Sequence, residues 1–214
     1  MNNLLNEYYF ESIPEELKDL FLANKYTYDI VNGLKDYVIS KTNGNNIIGE
    51  NIKMHEYVVI EGPVIIGNNV EIMPGAYIRP YTIICDNAVI GHNAQIKESL
   101  ILEGAKVQHL TFVGNSIIGN KARVGSGIIT ANRRFDQGLA GIKIDGNYYS
   151  LNTDFFGLVL GDKSRVGASC VTMPGTHIGP MTLVSPMEKV KGFVPRVKIF
   201  EDGKLEDGKE YDLK

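Results

Sequence analysis

Residues 60–102 read IEGPVIIGNNVEIMPGAYIRPYTIICDNAVIGHNAQIKESLIL, and an aliphatic side chain returns there at every sixth position: Ile60, Ile66, Ile72, Ile78, Ile84, Ile90, Ile96 and Leu102. A period of six matches neither the helical repeat of about 3.6 nor the alternation of a plain strand. It matches a triangular prism of parallel strands. Each hexad supplies one short strand and one corner, three hexads make a coil, and the repeated aliphatic stacks inward. Corners need tight bends or positive φ, which explains turn formers such as Gly67-Asn68-Asn69 and Gly91-His92-Asn93. Small or β-branched residues sit four places after the aliphatic, as at Val70, Ala76, Thr82, Ala88 and Ala94. An α/β sheet is excluded, because its parallel strands need crossover helices that this run lacks.

Outward from that stretch, the count slips by one after Leu102 to Val107, resumes at Val113, slips again to Ile118, and continues through Val124 and Thr130. It returns as Leu160, Val166, Thr172, Ile178 and Val184. The prism therefore spans residues 46–190, interrupted by residues 131–157 (ANRRFDQGLAGIKIDGNYYSLNTDFFG). An insertion this long, with no repeat of its own, points to function. Residues 1–45 have helical spacing at Leu17, Leu20, Phe21 and at Tyr28, Val31, Leu34, Val38, with Ser12-Ile13-Pro14-Glu15 as a capping box. They are expected to cap the open first coil, since a solenoid end needs cover. Residues 191–214 form a tail, read as a short strand or hairpin with a charged, frayed end. The fold class is mainly β: a parallel β-helix with a short helical cap and an inserted loop.

Composition narrows the function. The chain of 214 residues carries 22 Lys+Arg against 25 Asp+Glu, a net charge of −3. Such a balance gives no electrostatic footprint for nucleic acid. No apolar run approaches the roughly 20 residues of a membrane span. The acidic N-terminal stretch does not read as a signal peptide, so the expected compartment is the cytoplasm. Cys85 and Cys170 make no disulfide framework and read as packing residues. No pair of histidines lies five residues apart, as a zinc prism would want, so no metal is expected.

Register places the polar groups. Ile60, Ile78, Ile96, Val113 and Thr130 share one face. Arg79 and Lys97 each follow that face's aliphatic by one place and stack one coil apart, about 4.8 Å. Two cations so close call for an anion. Asn132 lies two places after Thr130, and His109 sits at the corner leading onto the face. The four are expected to converge on one edge of the prism. Imidazole is the side chain best tuned for proton transfer near neutral pH, which makes His109 the catalytic candidate. His55, His92 and His177 read as turn residues.

The motifs Gln108-His109-Leu110-Thr111-Phe112-Val113-Gly114 and Gly125-Ser126-Gly127-Ile128-Ile129-Thr130-Ala131-Asn132, with Gln95-Ile96-Lys97-Glu98 and Ile118-Gly119-Asn120, resemble one family over residues 55–190. It is the hexapeptide-repeat acyltransferases, in particular the acetyltransferase domain of the bifunctional N-acetylglucosamine-1-phosphate uridyltransferase/glucosamine-1-phosphate N-acetyltransferase. The resemblance implies a left-handed β-helix, a homotrimer with the active site between subunits, and acetyl-CoA as co-substrate. It implies His109 as general base, Arg79 and Lys97 as ligands of a sugar phosphate, Asn132 as a substrate contact, and Ser126 and Ala168 as acetyl-CoA contacts. The small-molecule partner implied is an amino sugar 1-phosphate or nucleotide-linked amino sugar.

Departures bear on the acceptor. Phe112 stands where the family has Tyr, Arg123 replaces an Asn that recognises the sugar, and Arg133 replaces another Tyr. Lys143 is the candidate for the family's loop lysine. The Thr-Ala-Asn-x-Arg pattern is similar to UDP-N-acetylglucosamine pyrophosphorylase-related proteins, whose Gly-rich nucleotidyltransferase domain has no counterpart in residues 1–45. Two alternatives stand beside N-acetyl transfer: a non-catalytic sugar-nucleotide-binding protein, and an O-acyltransferase using the same histidine.

Overall fold

The computed structural model describes residues 2–209 as a three-faced solenoid. Eight parallel strands make the first face, from Ile47–Ile48 to Phe193–Val194. Nine make the second, where the hairpin strand Lys204–Asp207 closes the end against Lys198–Glu201. Seven make the third, from Val59–Ile60 to Lys189–Val190. The third face pairs Ile60 with Ile78, Ile78 with Ile96, and Ile96 with Val113, as the six-residue period requires. These side chains are inward and stack into one apolar column with Ile66, Ile84, Ile72 and Ile90. Each buried aliphatic contributes about 1.5–3 kcal/mol. Val70, Ala76, Thr82, Ala88 and Ala94 are also buried, small enough to fill the prism's corners.

The shortened coils differ in one place from the sequence reading. Ile101, not Leu102, takes the inward position, pairing with Ile84 and Ile118. Leu102 is buried outside the prism. The missing residue therefore falls between Ile96 and Ile101, and the second between Val113 and Ile118. Both lie on the corner from the third face to the first, the same corner from which residues 131–157 emerge. Serine hydroxyls close these short corners: Ser99 Oγ donates to Lys97 O (2.7 Å), and Ser116 Oγ to Gly114 O (2.7 Å).

The N-terminal segment does not cap the first coil. Its helices, α1 (Asn6–Tyr9), α2 (Lys18–Ala23) and α3 (Thr27–Thr42), lie flat against the first face. Leu17, Leu20, Ile30, Leu34 and Val38 pack on the outward side chains Ile83, Leu100, Ile117 and Val159. Ile47 and Ile48 of the first coil stay exposed. The reason is area: the flank of one face offers more apolar surface than one open coil. Polar anchors fix the layer. Buried Asp162 accepts the Glu11 N–H (2.8 Å) and the Asn120 N–H (2.7 Å), and Asn120 Nδ2 donates to Ser12 O (2.9 Å). The expected capping box is absent: a 3-10 turn, Glu15–Leu17, starts with Pro14 at its N-cap and no side-chain cap, because the first helical residue lies three places beyond Ser12.

The insertion joins the same layer. Gly141–Ile144 and Asn147–Ser150 form an antiparallel hairpin, and Ala140, Ile142, Ile144, Leu151 and Phe156 are buried. Its exposed tip holds Phe135, with Arg134 paired to Asp136. His177 is no turn residue. It lies in the strand Thr176–Ile178, fully buried beneath the helices. Its ring stacks on Phe156 at 5.4 Å, accepts from the Thr27 hydroxyl at Nε2 (3.0 Å) and donates from Nδ1 to Gly175 O (3.0 Å). Cys85 and Cys170 are buried packing thiols, and burial pushes both up. The tail forms the expected hairpin; its anticipated frayed end lies outside the described residues. No helix among the described residues is long and apolar enough to cross a membrane.

Candidate active site

His109 stands on the corner between the strands Lys106–Val107 and Phe112–Gly114, where the chain enters the third face. The corner below it carries Ser126, and the next Ala168. The ladder is explicit: Gly127 N–H donates to His109 O (2.9 Å), and Ser169 N–H to Ser126 O (2.8 Å). Three predicted residues thus line one edge on three consecutive coils. The close stacking depends on glycine: a Cβ on Gly125 would lie 2.7 Å from Val166 O, and one on Gly167 2.5 Å from Pro186 N. Thr111 Oγ1 braces the His109 corner, with His109 O at 3.0 Å and Gly125 O at 3.1 Å.

The exposed His109 ring has a defined tautomer. Nδ1 accepts the backbone N–H of His92 (3.0 Å), so the neutral imidazole carries its proton on Nε2. His92 in turn donates from its own Nδ1 to Pro74 O (2.7 Å).

Arg79, Lys97 and Asn132 occupy the other edge of the third face, where the chain leaves it. The expected convergence of all four groups on one edge is therefore not found within one chain. A strand separates His109 from the leaving edge, because the corner before Phe112 and the corner after Gly114 bound the same face. Arg79 and Lys97 do stack one coil apart, with Arg79 N–H on Ile96 O (2.8 Å). Arg79 Nε is buried with no hydrogen-bond partner among the described residues. Beside it, hydrogen bonding to Glu61, ahead of burial, holds the Tyr77 phenol above its usual range.

Below Arg79, a side-chain ladder crosses the corner. Asn132 Nδ2 donates to Asn115 Oδ1 (2.7 Å), and Asn115 Nδ2 to Glu98 Oε2 (2.9 Å). Lys97 Nζ is 3.8 Å from that carboxylate. Phe155, at the return of the insertion, lies under two cations, with Lys97 Nζ at 4.7 Å and Arg133 Cζ at 5.0 Å from its ring centroid. Glu98, Asn115 and Phe155 were missed from sequence. The first two carried a signal: residues 98, 115 and 132 are spaced by one short coil each. Phe155 carried none, because only the folded insertion brings it back.

The remaining candidates lie apart. Arg123 is outward on the second face, paired between Lys106 and Arg165. Lys143 is on the exposed side of the insertion hairpin, beside the corner of Gly192 rather than that of Asn132. Two concavities of the chain, lined by residues such as Phe10, Ile13 and Phe21 and by Leu17, Tyr37 and Ile65, sit at the helical layer away from both edges.

Several known proteins are similar to this chain. The family model of the GMPPB C-terminal domain matches residues 60–171. The bifunctional sugar-1-phosphate nucleotidylyltransferase/acetyltransferase of Sulfurisphaera tokodaii is 37% identical over 165 residues, covering 72% of this chain and 41% of its own. The chain thus spans about two fifths of that relative's length. The uncharacterized acetyltransferase YaiX of Escherichia coli O6:K15:H31 is 32% identical over 183 residues, covering 86% of this chain and 79% of its own. Among solved structures, a mutant of AntD, a Bacillus cereus N-acyltransferase in complex with dTDP-4-amino-4,6-dideoxyglucose and coenzyme A, has a TM-score of 0.48 at 17% identity, covering 77% of this chain and 83% of its own.

Proposed function

This chain belongs to the family of the GMPPB C-terminal domain, and from that premise we propose that it is an acetyl-CoA-dependent N-acetyltransferase acting on an amino sugar 1-phosphate or a nucleotide-linked amino sugar. The observation that carries the reading is the column His109, Ser126, Ala168: one imidazole in line with two small corners on consecutive coils. Acetyl-CoA lies along that column, with its thioester beside His109. Arg79, Lys97 and Asn132 take the acceptor's phosphate and sugar through charge-assisted hydrogen bonds. Because they sit on the opposite edge, the reacting pair meets in a cleft completed by a second copy. The bare apolar third face, with Ile129 and Val171 on it and Leu110 and Met187 along its edge, supports a homotrimer.

The reaction is direct. The acceptor amine, its ammonium proton already lost to solvent, attacks the thioester carbonyl carbon, and His109 takes a proton from the attacking nitrogen. The tetrahedral intermediate collapses with cleavage of the C–S bond, and the coenzyme A thiolate takes the proton back from His109. The backbone N–H of Ser126 stabilises the oxyanion, those of Gly125 and Gly127 being taken by Val166 O and His109 O.

One observation favours a second role for His109. With Nδ1 taken by the His92 N–H, the neutral ring presents Nε2–H, a donor suited to the thioester oxygen. Base catalysis needs the ring to release that bond.

Acetyl-CoA turnover with glucosamine 1-phosphate and with UDP-glucosamine, for wild type and His109→Ala, tests the proposal. The expected loss is about 10²–10⁴-fold. A variant with full activity sinks His109 in either role. No turnover with either acceptor sinks the N-acetyl reading. A pH profile that follows an enzymic group lost in His109→Ala supports the base; one that follows the acceptor amine in both proteins supports the donor.

A further inference from the structure

We propose that Phe155 is a positioning residue for the acceptor's anion, fixing the Lys97 ammonium and the Arg133 guanidinium at the leaving edge of the third face; this rests on the proposed acetyl transfer to a phosphorylated amino sugar. Both cationic heads lie within cation–π range of this one ring, at 4.7 Å and 5.0 Å from its centroid. Lysine and arginine side chains are long and free to rotate, and a shared aromatic surface removes that freedom before a ligand arrives. The charges stay available. The Arg133 guanidinium N–H donors find no acceptor among the described residues.

Phe155 is itself held from three sides. Its backbone bridges that of Arg133 in antiparallel fashion. The next residue, Phe156, donates its N–H to Asn132 O (2.8 Å) and stacks on the buried ring of His177 at an interplanar angle of 10°. The helical layer therefore reaches the candidate site through His177, Phe156 and Phe155. One negative group faces the pair: Glu98, 3.8 Å from Lys97 and tied to Asn115. One further cation stands a coil above Lys97: Arg79, with its buried, unpartnered Nε. Three cations against two carboxylates, Glu98 and the Glu61 that hydrogen-bonds Tyr77 beside Arg79, leave one positive charge that an anion satisfies. Arg133, standing where the resembled family has tyrosine, adds the third.

Phe155→Leu keeps apolar bulk and removes the π face; Phe155→Tyr keeps the face. Glucosamine 1-phosphate and UDP-glucosamine serve as probes, with binding by calorimetry and turnover with acetyl-CoA measured in parallel. Phe155→Leu is expected to weaken the acceptor's Kd and raise its KM about tenfold, with kcat and the KM for acetyl-CoA within about twofold of wild type. Phe155→Tyr is expected to restore wild-type values. Unchanged acceptor binding in Phe155→Leu overturns the inference, as does a rise of both KM values together that Tyr does not rescue. Failure of wild type to bind either probe also overturns it. Binding that weakens in Phe155→Leu, with no turnover by wild type, keeps Phe155 in its role and refutes acetyl transfer instead. Turnover by wild type with Phe155→Leu unaffected does the reverse.

Discussion

The first and third faces are built from the same repeat, yet they meet different surroundings. On the first, the outward residues Ile83, Leu100, Ile117 and Val159 are 0–2% exposed under the helices and the insertion. On the third, Val59, Ile129 and Val171 are 51%, 43% and 38% exposed. Aliphatic side chains at equivalent outward positions thus become core on one flank and surface on the other. What decides is which flank the non-repeating segments cover. The covered face carries stability. The bare face, with the two candidate edges on either side, is where the proposed chemistry and the proposed self-association fall.

The contrast has measurable consequences. Leu100→Ala, at a site with no exposure, is expected to cost about 2–5 kcal/mol in urea unfolding. A cost under about 1 kcal/mol would mean that the helical layer is not docked as described.

His177 supplies a pH signature confined to the covered face. Burial, opposed only by its hydrogen bond to Gly175, pulls the imidazole down to about 4. The unfolded chain takes up the proton first, near about 6.5, so this ring's contribution is fully present above that pH and is lost as pH falls toward about 4. The total is of order 3 kcal/mol. Stability curves of wild type and His177→Gln across that window should differ in slope by about one proton. Parallel curves would show that the ring is not buried neutral.

Thr27→Val removes the hydroxyl that donates to His177 Nε2 while keeping side-chain shape. The expected cost is about 1–3 kcal/mol, because the ring nitrogen is left unsatisfied in the interior. Thermal unfolding of this variant beside His177→Gln and the double variant measures the coupling; strict additivity would show that the contact contributes nothing.

The smallest effect is expected on the bare face. Ile129→Ala should change the stability of a single chain by no more than about 0.5 kcal/mol. The same substitution should weaken self-association, read as a shift in sedimentation mass with concentration. A large loss of stability in a dissociated chain would erase the contrast between the faces.

Legibility in the sequence followed periodicity. Ile60, Ile78, Ile96 and Val113 fell on one face as the six-residue count requires, and Arg79 and Lys97 stacked as predicted, because register in a regular coil is set by position alone. Leu102 was misplaced because Ile101 beside it is equally aliphatic, and only the closing of a short corner chooses between them. The helices were assigned to the coil end rather than the flank, since their apolar stripe names no partner.

The sequence by itself determined the coil, its inward aliphatics and the stacking of Arg79 and Lys97 one coil apart, because side chains spaced by whole coils must stack. Only the tertiary structure decided that His177 is core rather than corner, and that Phe155 returns beneath Lys97 and Arg133. Those contacts join segments outside the repeat, where no period relates position to place and burial of apolar surface alone selects the partner.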